Sequence, residues 1–230
     1  MSLPQVELPE AVEVVWARSE TDVPLLNGGA TMEFAQYWAR YCAEIDRARL
    51  GVSVPALSKL LQWLEDTRTH GRCLIVLGNG GSAASASHWV CDFGRGTSVG
   101  ASARFKVLSP NEQLAWHTGL ANDASYADAL AEQVRTWIGP EDLVVALSVS
   151  GDSENLVRAC AAARSAHARV VAIVGARGGR LAVFADLAII VPSTDYGIVE
   201  DVHMTINHAL SQFLHQRAPS ECAEGSGGSV

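Results

Sequence analysis

The sequence predicts an α/β fold: a three-layer sandwich in which helices cover both faces of a five-stranded, mostly parallel sheet, with a helical extension at the N-terminal end. Five short apolar runs alternate with longer segments of helical periodicity, which is the pattern of βα units. Glycine-rich or serine-rich turns follow two of the runs, where a parallel strand would pass into a helix. The five runs, which we expect to be strands, are residues 73–77, 104–108, 143–147, 169–174 and 187–191.

The segments that flank the sheet divide the chain into three parts. Residues 1–30 contain several prolines and an Asn-Gly-Gly turn, so we expect an irregular arm. Residues 31–217 would form one domain, and residues 218–230, rich in glycine and serine, would be a disordered tail. Helices are expected before the first strand and at the end of the domain, near residues 32–49, 54–69 and 198–216.

Composition and charge argue against several classes of protein. The 230 residues carry a net charge of −8, with a calculated pI near 5.3, and no block of lysine or arginine offers a nucleic-acid surface. No apolar run reaches the roughly eighteen residues of a membrane span, and the first residues lack the pattern of a secretory signal. Five cysteines without CxxC spacing indicate reduced thiols. We therefore expect a cytoplasmic protein that binds neither nucleic acid nor membrane.

The first glycine-rich turn, residues 78–81, is the most informative segment of the chain. It has the sequence Gly-Asn-Gly-Gly and follows the strand predicted at 73–77. Backbone N–H groups of glycines at a helix start can hold an anion such as phosphate. Ser82 is the expected N-cap of the helix that follows. His88 and Asp92 are four residues apart and would share one face of that helix.

A second turn of the same kind follows the strand predicted at 143–147. Residues 148–153, Ser-Val-Ser-Gly-Asp-Ser, place three hydroxyls and a glycine at another helix start. Serine clusters at such positions commonly serve only as caps. Two such turns after two parallel strands nevertheless favour a phosphorylated ligand, held at the carboxyl ends of the strands.

The order and spacing of these motifs resemble the sugar isomerase (SIS) domain family, and within it the phosphoheptose isomerases. The resemblance rests on the two turns, on His88 after the first, on Asn122-Asp123 and on a late helix that contains histidine, and it covers about residues 31–217. It implies a flavodoxin-like sheet. It also implies an isomerase without a nucleotide cofactor, which interconverts sedoheptulose 7-phosphate and a heptose 7-phosphate through an enediol.

The resemblance further implies which residues act on the sugar. The family's catalytic glutamate falls on Asp92, which is shorter by one methylene, and its late-helix histidine falls on His208. Asp92 would be the general base and His208 its acid–base partner. The implied substrate-binding residues are Asn79, Gly80, Gly81, Ser82, Asn122, Asp123, Ser148, Val149, Ser150, Ser153 and Glu200.

Some members of the family bind zinc, and the matching positions here are His88, Asp92, Glu200 and His208. Two imidazoles and two carboxylates suit Zn²⁺, and Glu200 stands where the family has an amide. Residues eight apart in a helix are separated by about 12 Å along its axis. Glu200 and His208 would therefore reach one ion only if Glu200 precedes the helix or the side chains lean together. On spacing alone His203 is the simpler partner of Glu200, whereas the resemblance favours His208.

The resemblance also implies a homo-oligomer, expected to be a tetramer with its sites between subunits. An apolar stripe on the first predicted helix agrees with such an interface. Because Asp92, Val149 and Glu200 depart from the family pattern, two alternatives stay open: an isomerase of a different phosphosugar, and a non-catalytic protein that binds a phosphosugar or a protein partner. The residues of the stripe are Phe34, Tyr37, Trp38, Tyr41 and Ile45.

Overall fold

A computed structural model of the chain describes residues 33–97 and 103–217. The arm expected at 1–30, the first residue of the helix expected at 32–49 and the tail expected at 218–230 lie outside these ranges. The described residues fall into two units, with the boundary between Arg40 and Tyr41. Residues 33–40 contain the first turns of the first helix, and the second unit contains the sheet.

The sheet has five strands, as predicted, and all of its described pairings are parallel. The second strand begins at Lys106 instead of residue 104, and the other boundaries differ from the prediction by at most one residue. The strands lie in the order β2-β1-β3-β4-β5. They are β1 Cys73–Leu77, β2 Lys106–Leu108, β3 Leu143–Ser148, β4 Arg169–Val174 and β5 Leu187–Ile190.

Eight α-helices lie within the described ranges. They are α1 Phe34–Leu50, α2 Val54–Thr69, α3 Gly81–Cys91, α4 Leu114–Asp123, α5 Tyr126–Trp137, α6 Glu154–Ser165, α7 Gly179–Phe184 and α8 Tyr196–Arg217. The last helix begins two residues earlier than predicted. The reason is a cap, because the Asp195 carboxylate accepts a hydrogen bond of 3.1 Å from the backbone N–H of Ile198.

Helices cover the sheet on both faces, which makes the three layers that the sequence predicts. Alternate residues of each strand point to opposite faces. Leu74 and Val76 of β1 pack in one core with α2, α3 and α8, whereas Ile75 and Leu77 pack in the other with α5, α6 and α7. Because α3 and α8 share a face of the sheet, residues of the early histidine motif and of the last helix can meet.

The strand order reverses between β1 and β3. In open sheets with this order, ligands bind in the crevice at the carboxyl ends of the two strands beside the reversal. The first glycine-rich turn follows β1 and the serine-rich turn follows β3, so both turns lie at this crevice.

Two other expectations concern thiols and membranes. The cysteines that the structure describes are free, and burial raises the pKa of the Cys160 thiol to about 12. Cys91, the cysteine next to Asp92, is exposed. In the described ranges, no helix combines the length and the hydropathy that a membrane crossing requires.

Candidate functional site

The first turn begins its helix earlier than the sequence predicts. Gly80, not Ser82, is the N-cap of α3, because the Gly80 carbonyl accepts the first helical hydrogen bonds, from Ala83 and Ala84. Gly80 has a φ of 54°, a conformation that glycine adopts without strain. The prediction that Ser82 caps the helix is therefore wrong. Ser82 lies inside the first turn and is only 3% exposed.

Asparagine side chains hold this turn in place, and sequence reasoning missed them. Asn111 bonds both backbone groups of Gly78: its Oδ1 accepts from the N–H at 3.1 Å, and its Nδ2 donates to the carbonyl at 2.9 Å. Asn155, near the start of α6, pairs with Asn79 through reciprocal amide bonds of 2.8 and 2.9 Å. The Tyr126 hydroxyl adds a bond of 3.0 Å to Asn79 Oδ1. Asn155 thus ties the first turn to the helix that follows the second.

The serine-rich turn is stabilised by its own hydroxyls. Ser148 Oγ accepts from the N–H of Gly151 at 3.1 Å, and Ser150 Oγ accepts from the N–H of Asp152 at 3.2 Å. Ser153 is the N-cap residue of α6, but its side chain makes no capping bond. Each hydroxyl therefore retains a proton with which it can donate to an anion.

Between the two turns lies a small polar cleft of about 60 Å³. It contains most of the residues that the sequence predicts for phosphate and sugar binding, together with Tyr196, the first residue of α8. Its lining residues are Asn79, Ser82, Leu147, Ser148, Val149, Ser150, Ser153, Tyr196 and Glu200.

Glu200 places a carboxylate in this cleft. It accepts a hydrogen bond from the backbone N–H of Ser82 and packs so closely on Gly81 that a Cβ there would overlap it. Burial raises the pKa of Glu200, the Ser82 hydrogen bond lowers it, and Asp201 raises it further, so the net direction is upward. The chain's own carboxylate thus lies at the positive end of α3, where we expected the ligand's phosphate.

A second group of polar side chains lies farther along α3 and α8. Nε2 of His88 and Nε2 of His208 are 3.2 Å apart, and they lie 3.4 and 3.6 Å from Asp92 Oδ2. The ligand atoms of the three residues all lie within 4.8 Å of one another, and both histidines are about half exposed. Two imidazoles and one carboxylate form a donor set that suits zinc and leaves positions open. We call these three residues the His–Asp cluster.

Asp92 lies at the junction of two helical geometries. The α-helix α3 ends at Cys91, and residues Asp92–Gly96 form a π-helical turn, a local irregularity that is often found at functional sites. The Nδ2 group of Asn207, on α8, donates a hydrogen bond of 2.6 Å to Asp92 Oδ2. The carboxylate is therefore held from the neighbouring helix.

Glu200 does not join the His–Asp cluster, which corrects the predicted set of four metal ligands. Glu200 and His208 both lie inside α8, so Glu200 does not precede the helix, and in the described residues the ligand atoms that converge within 4.8 Å are those of His88, Asp92 and His208, without Glu200. Eight helical residues separate them by about 12 Å along the axis. His203, the other candidate, is fully buried, and its Nε2 is 3.1 Å from the Ile173 carbonyl. Burial lowers its pKa to about 4, as expected for a neutral imidazole in the core.

Asn122 and Asp123 lie away from the cleft of their own chain. They are the last two residues of α4, both are exposed, and Asn122 Nδ2 donates to Asp123 Oδ1 at 3.0 Å. The cap of the next helix is Ser125, which accepts from the N–H of Asp128. Neither residue lines the space between the two turns.

Comparison with known proteins identifies the family. The SIS domain model matches residues 38–175. The phosphoheptose isomerase of Geotalea daltonii is 32% identical over 170 residues, which are 71% of this chain and 84% of that protein. That of Rhodospirillum rubrum is 34% identical over 163 residues, or 70% of this chain and 86% of that protein. The chain belongs to the phosphoheptose isomerases of the SIS domain family.

Solved structures confirm the SIS fold. A phosphoheptose isomerase from Francisella tularensis superimposes with a TM-score of 0.73 at 22% identity, covering 80% of this chain and 96% of that one. The Vibrio vulnificus NanR protein, solved in complex with ManNAc-6P, superimposes with a TM-score of 0.60 at 13% identity over 82% of this chain and 64% of that one. At these identities the likeness shows the SIS fold alone.

The side chains that sequence reasoning missed are the amides of Asn111, Asn155 and Asn207, which bond segments distant in sequence. Asn207 could have been found from its position, because His203, Asn207 and Ser211 recur at helical spacing on the face of α8 that also carries buried apolar residues. Asn111 and Asn155 carry no such periodic signal. Their role depends on contacts across 33 and 76 residues of chain, which local patterns do not encode.

Proposed function

We propose that the protein is an aldose–ketose isomerase that interconverts sedoheptulose 7-phosphate and a heptose 7-phosphate through an enediol. The single observation that carries the proposal is the His–Asp cluster, in which a carboxylate and two imidazoles meet on helices that begin at a phosphate-sized polar cleft. Isomerisation needs two titratable groups beside two adjacent carbons, and the cluster supplies them. Relatives that are 32% and 34% identical carry the same activity in their names.

In this proposal Asp92 and His208 move the protons. Asp92 removes a proton from the carbon next to the carbonyl, and His208 donates a proton to the carbonyl oxygen to give the enediol. Asp92 then gives its proton to the former carbonyl carbon, while His208 takes the proton from the hydroxyl on the neighbouring carbon, whose oxygen becomes the new carbonyl; both groups return to their starting protonation states. His208 Nε2 lies 3.6 Å from Asp92 Oδ2, so the two groups can act on neighbouring atoms of one substrate.

The phosphate would lie against the serine-rich turn. Ser148, Ser150 and Ser153 surround the cleft with hydroxyls, and each of them has a proton to donate. On the other side of the cleft, Glu200 occupies the start of α3. Since a carboxylate repels a phosphate, the hydroxyls of residues 148–153 would carry more of the phosphate binding than the backbone of residues 79–81.

Zinc is proposed at His88, Asp92 and His208. The donor set fits the ion, because two imidazoles and a carboxylate match the three-ligand sites that leave a position for water or substrate. When bound, zinc would stabilise negative charge on the sugar oxygens. Because the ion would take His208 Nε2 and a carboxylate oxygen of Asp92, the proton transfers described above are proposed for the metal-free cluster. No nucleotide enters the reaction, since isomerisation transfers a proton within one molecule.

We also propose a cytoplasmic homo-oligomer, most simply a tetramer. Phe34 and Trp38 are 76% and 57% exposed, and α4 has no buried residue although it carries Leu114 and Trp116. A second copy would cover such surfaces, and it would allow Asn122 and Asp123 to reach the site of a neighbour. Light scattering during size exclusion should report a multiple of 24.4 kDa. A monomer at micromolar concentration would contradict this part.

The activity is tested by NMR of the metal-free and the zinc-loaded protein with sedoheptulose 7-phosphate in D₂O. We expect aldose signals and incorporation of deuterium at the former carbonyl carbon, which receives a proton when the enediol collapses to the aldose. Because Asp92, Val149 and Glu200 depart from the family pattern, ketose phosphates of five and six carbons belong in the same panel. Faster conversion of one of these would favour the isomerase of a different phosphosugar. If the folded protein converts none of them, a non-catalytic phosphosugar-binding role replaces the proposal.

A further inference from the structure

Asn207 is a buried amide on α8, one residue before His208, and the proton transfers described above do not use it. Its side chain is fully buried. Its Nδ2 donates a hydrogen bond of 2.6 Å to Asp92 Oδ2, at the short end of what amide donors form with carboxylates. The bond joins two helices that are 115 residues apart in sequence, so nothing local requires it.

The side-chain oxygen of Asn207 shows that a contribution to folding stability does not explain why an amide occupies this position. Its Oδ1 is buried and has no hydrogen-bond partner in the described part of the chain. A buried, unpaired amide oxygen is unfavourable, and an apolar residue of the same shape would avoid that penalty. The amide is therefore suited to a task at Asp92.

The task follows from the geometry of the carboxylate. The oxygen that Asn207 holds, Oδ2, is also the one that faces His88 at 3.4 Å and His208 at 3.6 Å. An aspartate carboxylate can turn about its last bond, and a single donor on one oxygen fixes that rotation. Asp92 is shorter by one methylene than the family's glutamate, so its reach depends more on being held from α8.

We propose that Asn207 is a positioning residue that holds the Asp92 carboxylate between the two imidazoles. The inference rests on the proposed function only in assigning Asp92 a role, as base or as metal ligand. Hydrogen-bond partners of functional carboxylates typically contribute ten- to a hundredfold in activity or metal affinity. Asn207 does so without touching the sugar.

The test replaces Asn207 by leucine, which keeps the branched skeleton at a somewhat larger volume and removes the donor. We expect Asn207→Leu to lower kcat by about ten- to a hundredfold while KM stays within about twofold, and to weaken zinc about tenfold in competition with a chromogenic chelator. In an Asp92→Asn background the same replacement should change the residual kcat by less than about twofold, because the carboxylate that Asn207 positions is already lost. Melting temperatures of all variants are compared with the wild type.

Two further variants keep the test decisive. If Asn207→Leu does not fold, Asn207→Ser serves instead, because serine can bond a carbonyl of its own helix but cannot reach Asp92. His203→Leu is the matched control, since it removes another buried polar side chain from α8 that does not contact Asp92. It should leave kcat and zinc affinity unchanged.

The outcomes separate this inference from the proposed function. A wild-type protein that binds zinc without isomerising any phosphosugar would end the proposed function, and loss of zinc affinity in Asn207→Leu would still support the inference. Unchanged kcat and unchanged zinc affinity in the variant would overturn the inference and leave the function standing. An equal loss in the Asp92→Asn background would also overturn it. A folded wild type with neither activity nor zinc would end both.

Discussion

The two polar regions of the site, the His–Asp cluster and the cleft between the turns, differ in where their carboxylates lie and what those carboxylates contact. In the cluster the ligand atoms of a carboxylate and two imidazoles converge; both imidazoles are about half exposed, and the carboxylate is partly buried. In the cleft the positive end of α3 is already occupied by the Glu200 carboxylate. In the proposed function the cluster holds a metal or the reacting carbons, whereas the cleft accepts a phosphate beside the Glu200 carboxylate. The proposal therefore assigns the chemistry and the phosphate binding to different regions.

The largest effect is expected at Asp92. Asp92→Asn keeps the volume of the side chain. Its amide oxygen can still accept the hydrogen bond from Asn207, but the basic carboxylate is lost. Removing a general base typically costs about a hundred- to ten-thousandfold, so kcat should fall by that much while the melting temperature barely changes. Asp46→Asn, at an exposed ion pair with Arg49, is the matched control and should leave kcat unchanged. Near wild-type turnover by Asp92→Asn would show that the base is elsewhere.

The next effect concerns zinc. His208→Asn should weaken zinc by more than the ten- to hundredfold that outer-shell changes typically cost, because a direct ligand is lost. His215→Asn, about two turns farther along α8, removes an imidazole that is not part of the ligand group. Zinc titration against a chelator compares the two variants. Equal affinities would place the ion outside the cluster.

At the cleft, Ser153 offers the cleanest test of phosphate binding. Its hydroxyl makes no capping bond, so Ser153→Ala removes a potential donor without disturbing the turn. Hydrogen bonds to charged groups contribute about 1.5–3 kcal/mol, which predicts at least a roughly tenfold rise in KM with kcat little changed. Ser165→Ala, at the far end of α6, is the control. An unchanged KM for Ser153→Ala would move the phosphate away from this turn.

The smallest effect is expected at Glu200. Glu200→Gln removes the carboxylate from the start of α3, so phosphosugar affinity at pH 7 should rise about two- to fivefold, the scale of a helix-end charge interaction. Asp201→Asn, which removes the same charge from the adjacent position, should have less effect. Inhibition by inorganic phosphate measures the change. Weaker binding by Glu200→Gln would mean that the carboxylate contacts the sugar instead of opposing the phosphate.

The same variant gives a pH dependence of stability. Because the folded pKa of Glu200 is raised, the native state binds this proton more tightly than the unfolded state, and stability is lost as pH rises above the unfolded value of 4.5. Glu200→Gln should therefore raise the melting temperature by no more than a few degrees at pH 7, and by less at pH 4. A gain that is equal at both pH values would contradict the pKa shift.

The sequence predicts the features of the site that depend on local patterns. His88 and Asp92 share a helix face by spacing, and two serine- or glycine-rich turns after parallel strands predict the edge of the sheet where a phosphate fits. The layers and strands follow from apolar periodicity. These are local patterns, and the structure agrees with them.

The corrections concern contacts between distant segments. Serine is a common N-cap residue, which led to the prediction for Ser82. The helix instead begins two residues earlier, because Gly80, with its positive φ, is the N-cap. Glu200 matches a family metal ligand, but α8 begins before it and directs it towards α3. Asn207 was missed because its importance depends on Asp92, 115 residues away. Helix phase and packing decide such contacts, and neither can be derived from spacing within one segment.

The most direct test of the account is a crystal structure of the zinc-loaded protein with a bound open-chain ketose phosphate, using anomalous scattering to locate the metal. The account predicts one zinc per chain at about 2.0–2.2 Å from His88, Asp92 and His208. It also predicts the phosphate against Ser148, Ser150 and Ser153, with the carbonyl end of the sugar at the His–Asp cluster. Zinc at another site, or a carbonyl end remote from Asp92, would contradict it.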